Sequence, residues 1–90
     1  MSDTLTDVDI DELIKEVNSR SLILYNDDVN TFDHVINCLM IYCDHTLPQS
    51  EQCALTVHSK GKCSIKSGTF DELAPLHKIL SEKQLTVDIK

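Results

Sequence analysis

The sequence SLILYNDD, residues 21–28, anchors the interpretation of this 90-residue chain. Its first five residues are mostly apolar and partly β-branched, which is typical of a buried strand. Asn26, Asp27 and Asp28 follow directly, and such residues favour turns because their side chains hydrogen-bond the neighbouring backbone. The stretch therefore predicts a buried strand over residues 21–25 that ends in a polar turn.

A helix is predicted immediately after this turn, over residues 31–44. Asn30 or Thr31 is placed to cap its first turn. The apolar residues that follow repeat with helical spacing, and they are Phe32, Val35, Ile36, Leu39, Tyr42 and Cys43.

A second helix and a second strand follow. Pro48 suits the first position of a helix, and Gly61 suits its end, so the pattern predicts a helix over residues 48–60. Residues 62–67 alternate between polar and apolar, as in a strand with one face in water.

The last third of the chain predicts a third helix and a third strand. Thr69 and Glu72 form a capping box that starts a helix ending near Glu82. Pro75 implies either that this helix begins near Glu72 or that it is kinked. Residues 85–89 alternate as a half-buried strand. The order β-α-α-β-α-β predicts an α+β fold, with a small antiparallel sheet of about three strands and three helices on one face.

The charge distribution narrows the classes of function. The chain has a formal charge of −7, from 15 acidic and 8 basic residues. This excess of acids argues against a nucleic-acid ligand, which requires a clustered basic face. Residues 21–44 contain four acids and no lysine or arginine, so a ligand that meets this segment is expected to be cationic.

The first twenty residues are predicted to form an acidic extension, and residues 21–90 a single core domain. The extension contains an amphipathic stripe of Ile10, Leu13, Ile14 and Val17 that predicts a short helix begun near Asp7 or Asp9. Either the extension is loose or only partly helical, or it packs against the domain or a partner. Apolar runs are too short for a membrane span and no export signal precedes the domain, so we expect a cytoplasmic chain with no membrane partner.

The cysteines and histidines predict neither a metal site nor an enzyme. Without a secretory context we expect the four cysteines to be reduced and buried, and they lack the C-x2-C spacing of a zinc site. His34, His45 and His77 are scattered and are expected at the surface or rim. Asp27 and His58 lack an activated nucleophile. No cofactor is expected.

Two patterns have both a structural and a functional interpretation. Asn26, Asp27 and Asp28 are ordinary turn residues, and a calcium loop built on Asp28 and Asn30 lacks the required glycine. His58 lies beside an apolar helical stripe, where histidines are commonly packed residues without a further role.

Several motifs together resemble the ClpS family, the adaptor that recognises N-degrons for the ATP-dependent Clp protease. The resemblance covers residues 21–90. The segments that carry it are Leu24-Tyr-Asn-Asp-Asp28, Asn30-Thr-Phe-Asp-His-Val-Ile36 with Leu39, and Ala54-Leu-Thr-Val-His58 with Gly61-Lys62. The resemblance implies a non-enzymatic monomer that binds proteins starting with Leu, Phe, Tyr or Trp, and delivers them to the N-terminal domain of a ClpA- or ClpC-like ATPase.

The resemblance also implies the roles of particular residues. Asn26, Asp27 and His58 would surround the α-amino group of the substrate. The first side chain would enter a hydrophobic pocket formed by Asn30, Phe32, Val35, Ala54 and Leu85. The 1–20 extension would contact the ATPase.

The chain departs from the family pattern at four places. The family commonly has Met at the positions of Phe32 and Ala54, and Thr-Pro at those of Asn30 and Thr31. Residues 66–78 are shorter than in the family, so its ATPase contacts there are not transferred. Two alternatives remain: a domain of the same fold that regulates a Clp ATPase without reading N-termini, and a small hydrolase using Asp27 and His58.

Overall fold

The computed structural model describes residues 9–90. Helix α1 is followed by strand β1, two helices, strand β2, a fourth helix and strand β3. Their bounds are α1 Ile10–Val17, β1 Arg20–Tyr25, α2 Phe32–Tyr42, α3 Leu47–Lys60, β2 Lys62–Gly68, α4 Phe70–Glu82 and β3 Thr86–Ile89. None of the helices in this part of the chain is long and apolar enough to cross a bilayer.

The three strands form one antiparallel sheet in the order β2-β1-β3, which confirms the predicted fold class. The stretch that begins at Ser21 therefore supplies the central strand. The pairing of β1 with β2 shifts between Leu22, opposite Lys66, and Ile23, opposite Ser64. Ile65 is the extra residue at this bulge, and its carbonyl accepts a hydrogen bond of 2.7 Å from His45 Nε2.

The core lies between one face of the sheet and helices α2, α3 and α4. Leu22 and Leu24 are fully buried on that face, as the alternation of β1 requires. The remaining buried residues of the cluster are Cys38, Leu39, Cys43, Cys53, Val57, Ile65, Leu73, Leu80 and Leu85.

Each of the three core helices begins at a threonine. The Oγ1 atoms of Thr31, Thr46 and Thr69 accept hydrogen bonds from the backbone three residues ahead. Thr46 forms a complete capping box with Gln49, so α3 begins at Leu47 rather than at Pro48 as predicted. The box at Thr69 starts α4 at Phe70, which leaves Pro75 inside the helix. The alternative start near Glu72 is therefore wrong.

Gly61 and Gln84, both in the left-handed region, close the ends of α3 and α4. Gly61 ends α3 with φ 90°, and its N–H donates to Val57 O. After α4, Gln84 has φ 68°, and the N–H of Leu85 donates to Leu80 O. This second arrangement is a Schellman motif, and it fixes where Leu85 enters the core.

Helix α1 is formed and capped, but its apolar stripe does not pack on the domain. Asp9 Oδ1 accepts from Asp11 N at 2.9 Å, so the helix begins at the second of the two predicted starts. The exposed fraction is 48% at Leu13 and 73% at Val17. The other predicted start, Asp7, and the rest of residues 1–8 lie outside the described residues.

Three histidines donate through Nε2 to backbone carbonyls, so they have a structural role and are not merely exposed surface residues. His34 donates to Lys83 O, His45 to Ile65 O and His77 to Val87 O. All three are half-buried, and His45 Nδ1 is buried without a partner in the described structure. The prediction of surface or rim positions missed these bonds.

The cysteines are free thiols, three of them buried in the core. Burial raises the pKa of Cys43 to about 11 and raises that of Cys53 further, with the adjacent Cys63 thiol adding to the latter shift. Thiols with raised pKa values are weak nucleophiles at neutral pH, which agrees with their role as small core residues.

Candidate functional site

A cavity of about 300 Å³ opens where β1 ends, between the first turn of α2 and the last turns of α3. Its size is at the lower end of the range for ligand pockets in proteins. The residues that line it are Leu24, Tyr25, Asn26, Asp27, Asp28, Asn30, Thr31, Phe32, Val35, Ala54, Val57, His58 and Leu85.

Asn26 is held at this cavity by the end of α3. Its backbone N–H donates to Gly61 O at 2.9 Å, immediately after the helix ends. His58 lies in the last turn of the same helix. The left-handed turn at Gly61 therefore brings the two polar residues to one rim.

Asp27 organises the loop between β1 and α2. Its Oδ1 accepts from Val29 N and Asn30 N at 3.0 and 2.9 Å. Its Oδ2 accepts from Asn30 Nδ2 at 2.8 Å and from Thr86 Oγ1 at 3.3 Å. A carboxylate has about four lone-pair positions, and all of them are filled.

These bonds also set the ionisation of Asp27. Partial burial acts to raise the pKa of this carboxyl group. The hydrogen bonds from Asn30, Val29 and Thr86 outweigh burial and hold the pKa below its usual value. Asp27 is therefore a stable negative charge beside the cavity.

Asn30 connects the loop to the beginning of β3. Its Nδ2 donates to Asp27 Oδ2 and, also at 2.8 Å, to Gln84 O. Gln84 is the left-handed residue of the Schellman motif, and Leu85 in the cavity wall follows it directly. One side chain thus joins elements that are far apart in the sequence.

His58 and Asn26 present unused polar groups at the rim. Within residues 9–90, neither the His58 ring nitrogens nor the Asn26 side-chain amide has a hydrogen-bond partner. The ring of His58 packs against that of Phe32, with centroids 5.5 Å apart and an interplanar angle of 57°. This tilted contact is a favourable geometry for aromatic pairs, and it links α2 to α3 at the cavity.

The interior of the cavity is mainly apolar. Leu85 and Ala54 are buried, Val35 is half-buried, and Phe32 is 43% exposed. Two further apolar residues, Leu24 and Val57, were not among the predicted pocket residues. The sequence contained a signal for both, since they lie within the segments 24–28 and 54–58 that carry the family resemblance.

The structure brings all eight individually predicted residues to this one cavity, and their roles stay predictions. Gln84 and Thr86, which hold the loop, were missed, because no local pattern links them to Asp27 or Asn30. The expected ATPase contact of residues 1–20 is not resolved to individual residues, and residues 1–8 lie outside the described part. Among the described residues, no group of three His, Cys, Asp or Glu side chains is placed to hold a metal ion.

Comparisons with known proteins identify the family of the chain. A search of curated protein sequences gave no significant match. Among solved structures, the fold is similar to that of Agrobacterium tumefaciens ClpS2 bound to L-phenylalaninamide, with a TM-score of 0.70 and 16% sequence identity. That match covers 81% of this chain and 95% of the other. The model of the ATP-dependent Clp protease adaptor protein ClpS matches residues 15–87, and the chain therefore belongs to the ClpS family.

Proposed function

We propose that this chain binds the free N-terminus of a protein that begins with a bulky hydrophobic residue, and delivers that protein to a Clp ATPase. The observation that carries the proposal is a cavity that combines an apolar interior with unpaired polar groups and a negative charge at its rim. An N-terminal residue has the matching chemistry, with an apolar side chain next to a cationic amine.

The rim suits an α-ammonium group. A free N-terminus has a pKa of about 7.7–8.0, so at neutral pH it is mostly protonated and offers three N–H donors. Asn26 Oδ1 and a neutral ring nitrogen of His58 supply unpaired acceptors. Asp27 contributes its negative charge, and its oxygens stay bonded to the loop and to Thr86. An acetylated terminus lacks the charge and two of the donors, and would leave these acceptors unpaired.

The interior suits one large apolar side chain. Burying Leu or Phe contributes about 1.5–3 kcal/mol. Two charge-assisted hydrogen bonds of about 1.5–3 kcal/mol each, less the cost of association, give an affinity on the order of micromolar. The free amine and phenyl ring of L-phenylalaninamide, the ligand of Agrobacterium tumefaciens ClpS2, support the same ligand chemistry here.

Peptide binding measured by fluorescence anisotropy tests the recognition step. A peptide that begins with Phe is compared with its N-acetylated form, and we expect at least tenfold weaker binding of the acetylated peptide. Equal affinity would contradict the proposal and favour a domain that regulates a Clp ATPase without reading N-termini.

Two variants connect this preference to the rim. His58→Ala is expected to reduce the difference between free and acetylated peptides, because it removes an unpaired acceptor. Ser59→Ala is a matched control, since Ser59 is exposed and bonds only Leu55 O within its own helix in the described structure. A preference unchanged in His58→Ala would remove His58 from the proposed site.

The delivery step is proposed from family membership and from the exposed helix α1. The partner is the N-terminal domain of a ClpA- or ClpC-like ATPase, which the 1–20 extension contacts. Degradation of a model protein beginning with Phe, with the ATPase and its peptidase present, tests this step. Degradation that does not depend on the adaptor would contradict it.

A further inference from the structure

We infer that Asn30 makes the pocket selective for a first side chain whose aromatic ring carries a hydrogen-bond donor, with Tyr bound more tightly than Phe. This inference rests on the proposed function and specifies its substrate class. It comes from the fixed orientation of one amide group beside the apolar part of the cavity wall.

The orientation of the Asn30 amide follows from its two partners. A carboxylate oxygen of Asp27 and the carbonyl oxygen of Gln84 both lie 2.8 Å from the same terminal atom of Asn30. Both partners are acceptors only, so that atom must be the NH₂ nitrogen, and both of its hydrogens are used. The other terminal atom is therefore the acceptor Oδ1, and it has no hydrogen-bond partner among the described residues.

Other polar groups of the lining do not offer an equivalent acceptor. Asn26, Asp28, Thr31 and His58 are exposed at the rim, where water reaches them. The four acceptor positions of Asp27 are filled by the loop and Thr86.

Tyr25 also lines the cavity and has a hydroxyl group, but its side chain is placed differently from that of Asn30. By the alternation of β1, the side chain of Tyr25 lies on the sheet face opposite to Leu24. Asn30 is half-buried between the loop and the start of β3, next to the apolar wall that Leu85 completes. Because Asn30 lines the cavity, a side chain that fills the cavity is expected to cover its Oδ1.

Covering this oxygen has opposite effects on Tyr and Phe. A Phe ring displaces water from Oδ1 and offers it no donor, which leaves a polar atom unsatisfied. A Tyr hydroxyl restores the bond. A site whose acceptor loses its water when the ligand binds discriminates against ligands that lack the donor.

Three peptides that differ only in the first residue test the inference by fluorescence anisotropy with the full chain. The residues are Tyr, Phe and 4-methylphenylalanine, the last of which matches the size of Tyr and replaces its hydroxyl by a methyl group. We expect the Tyr peptide to bind at least about fivefold more tightly than either of the others. Equal binding of Tyr and 4-methylphenylalanine would overturn the inference.

The variant Asn30→Leu tests whether Asn30 causes the tighter binding of the Tyr peptide. The affinity ratio of the Tyr and 4-methylphenylalanine peptides is expected to fall to about one, and because it is a ratio, a general loss of affinity cancels. A ratio that persists would place the acceptor elsewhere and overturn the inference. If the Tyr peptide binds no more tightly than its N-acetylated form, the proposed function itself fails. The wild-type comparison keeps the inference testable if the variant does not fold.

Discussion

Replacement of Asp27 by Asn is expected to destabilise the domain although it preserves the shape of the side chain. In the native structure the carboxylate accepts four hydrogen bonds. In Asp27→Asn, the amide oxygen retains the two bonds from Val29 and Asn30 backbone N–H groups. Its NH₂ group then faces the Asn30 NH₂ group, so two donors oppose each other across 2.8 Å.

The size of the effect follows from these losses. A hydrogen bond to an ionised group contributes about 1.5–3 kcal/mol when it is well shielded. Asp27 is only half-buried, so solvent screening reduces each contribution, and we estimate a total loss of about 1.5 kcal/mol. In a domain of this size such a loss lowers the midpoint of thermal unfolding by about 6–12 °C.

The pH dependence gives the prediction a second readout. Because the native pKa of Asp27 lies below its usual value, the ionised carboxyl stabilises the fold above that value, and the stabilisation is lost as the pH falls through the native pKa. The difference between wild type and Asp27→Asn is therefore expected to be constant from about pH 7 to about pH 5, and to shrink toward about pH 3. Circular dichroism melts across this range measure it.

Asp28→Asn is the matched control for stability. It removes the same charge from the next residue, which is exposed and has no hydrogen bond or ion pair in the described structure. We expect its midpoint to stay within about 2 °C of wild type. Equal midpoints of the two variants at neutral pH, or a difference that does not narrow in acid, would refute the role given to the loop hydrogen bonds.

Three further predictions concern other parts of the chain. Gln84→Gly is expected to raise the unfolding midpoint by about 2–6 °C, because Gly relieves the left-handed backbone at φ 68° and Asn30 bonds only the backbone carbonyl there; a lower midpoint would contradict this. Deletion of residues 2–18 is expected to leave peptide affinity unchanged and to slow ATPase-dependent degradation, and unchanged degradation would assign no delivery role to the extension. Leu85→Ala removes part of the apolar wall, so it is expected to weaken binding of a peptide beginning with Phe about tenfold or more in anisotropy titrations. Ile79 is partly exposed and lies outside the cavity, so Ile79→Ala is expected to leave the affinity unchanged.

Local signals in the sequence predicted much of the fold. The box from Thr69 to Glu72 placed the start of α4 within one residue, since its hydrogen bonds involve neighbours in the chain. The same signal is present at Thr46 and Gln49, but the prediction of α3 rested on Pro48 alone and missed it. Pro75 was harder to interpret, because packing of α4 on the core outweighs the loss of one backbone hydrogen bond.

The candidate site was predicted in composition but not in its bonding. Motif spacing located the residues around the cavity, including Asn26 and His58. It gave no indication that the oxygens of Asp27 would be filled, because one of the donors, Thr86, lies 59 residues away in the sequence. The partners of the three structural histidines are all backbone carbonyls, 49, 20 and 10 residues away, and the backbone carries no residue-specific signal.

The position of α1 relative to the cavity has a consequence for how two ligands are held. Only residues 18 and 19 separate α1 from Arg20, the first residue of β1. The cavity opens at the other end of this strand, beside its last residue, Tyr25. The six residues of β1 act as a rigid spacer of about 20 Å. A partner bound to α1 and a peptide bound in the cavity would therefore lie at opposite ends of one strand and would not compete. Saturating one of these two sites with its ligand should leave the affinity of the other site for its own ligand unchanged, with a coupling free energy near zero.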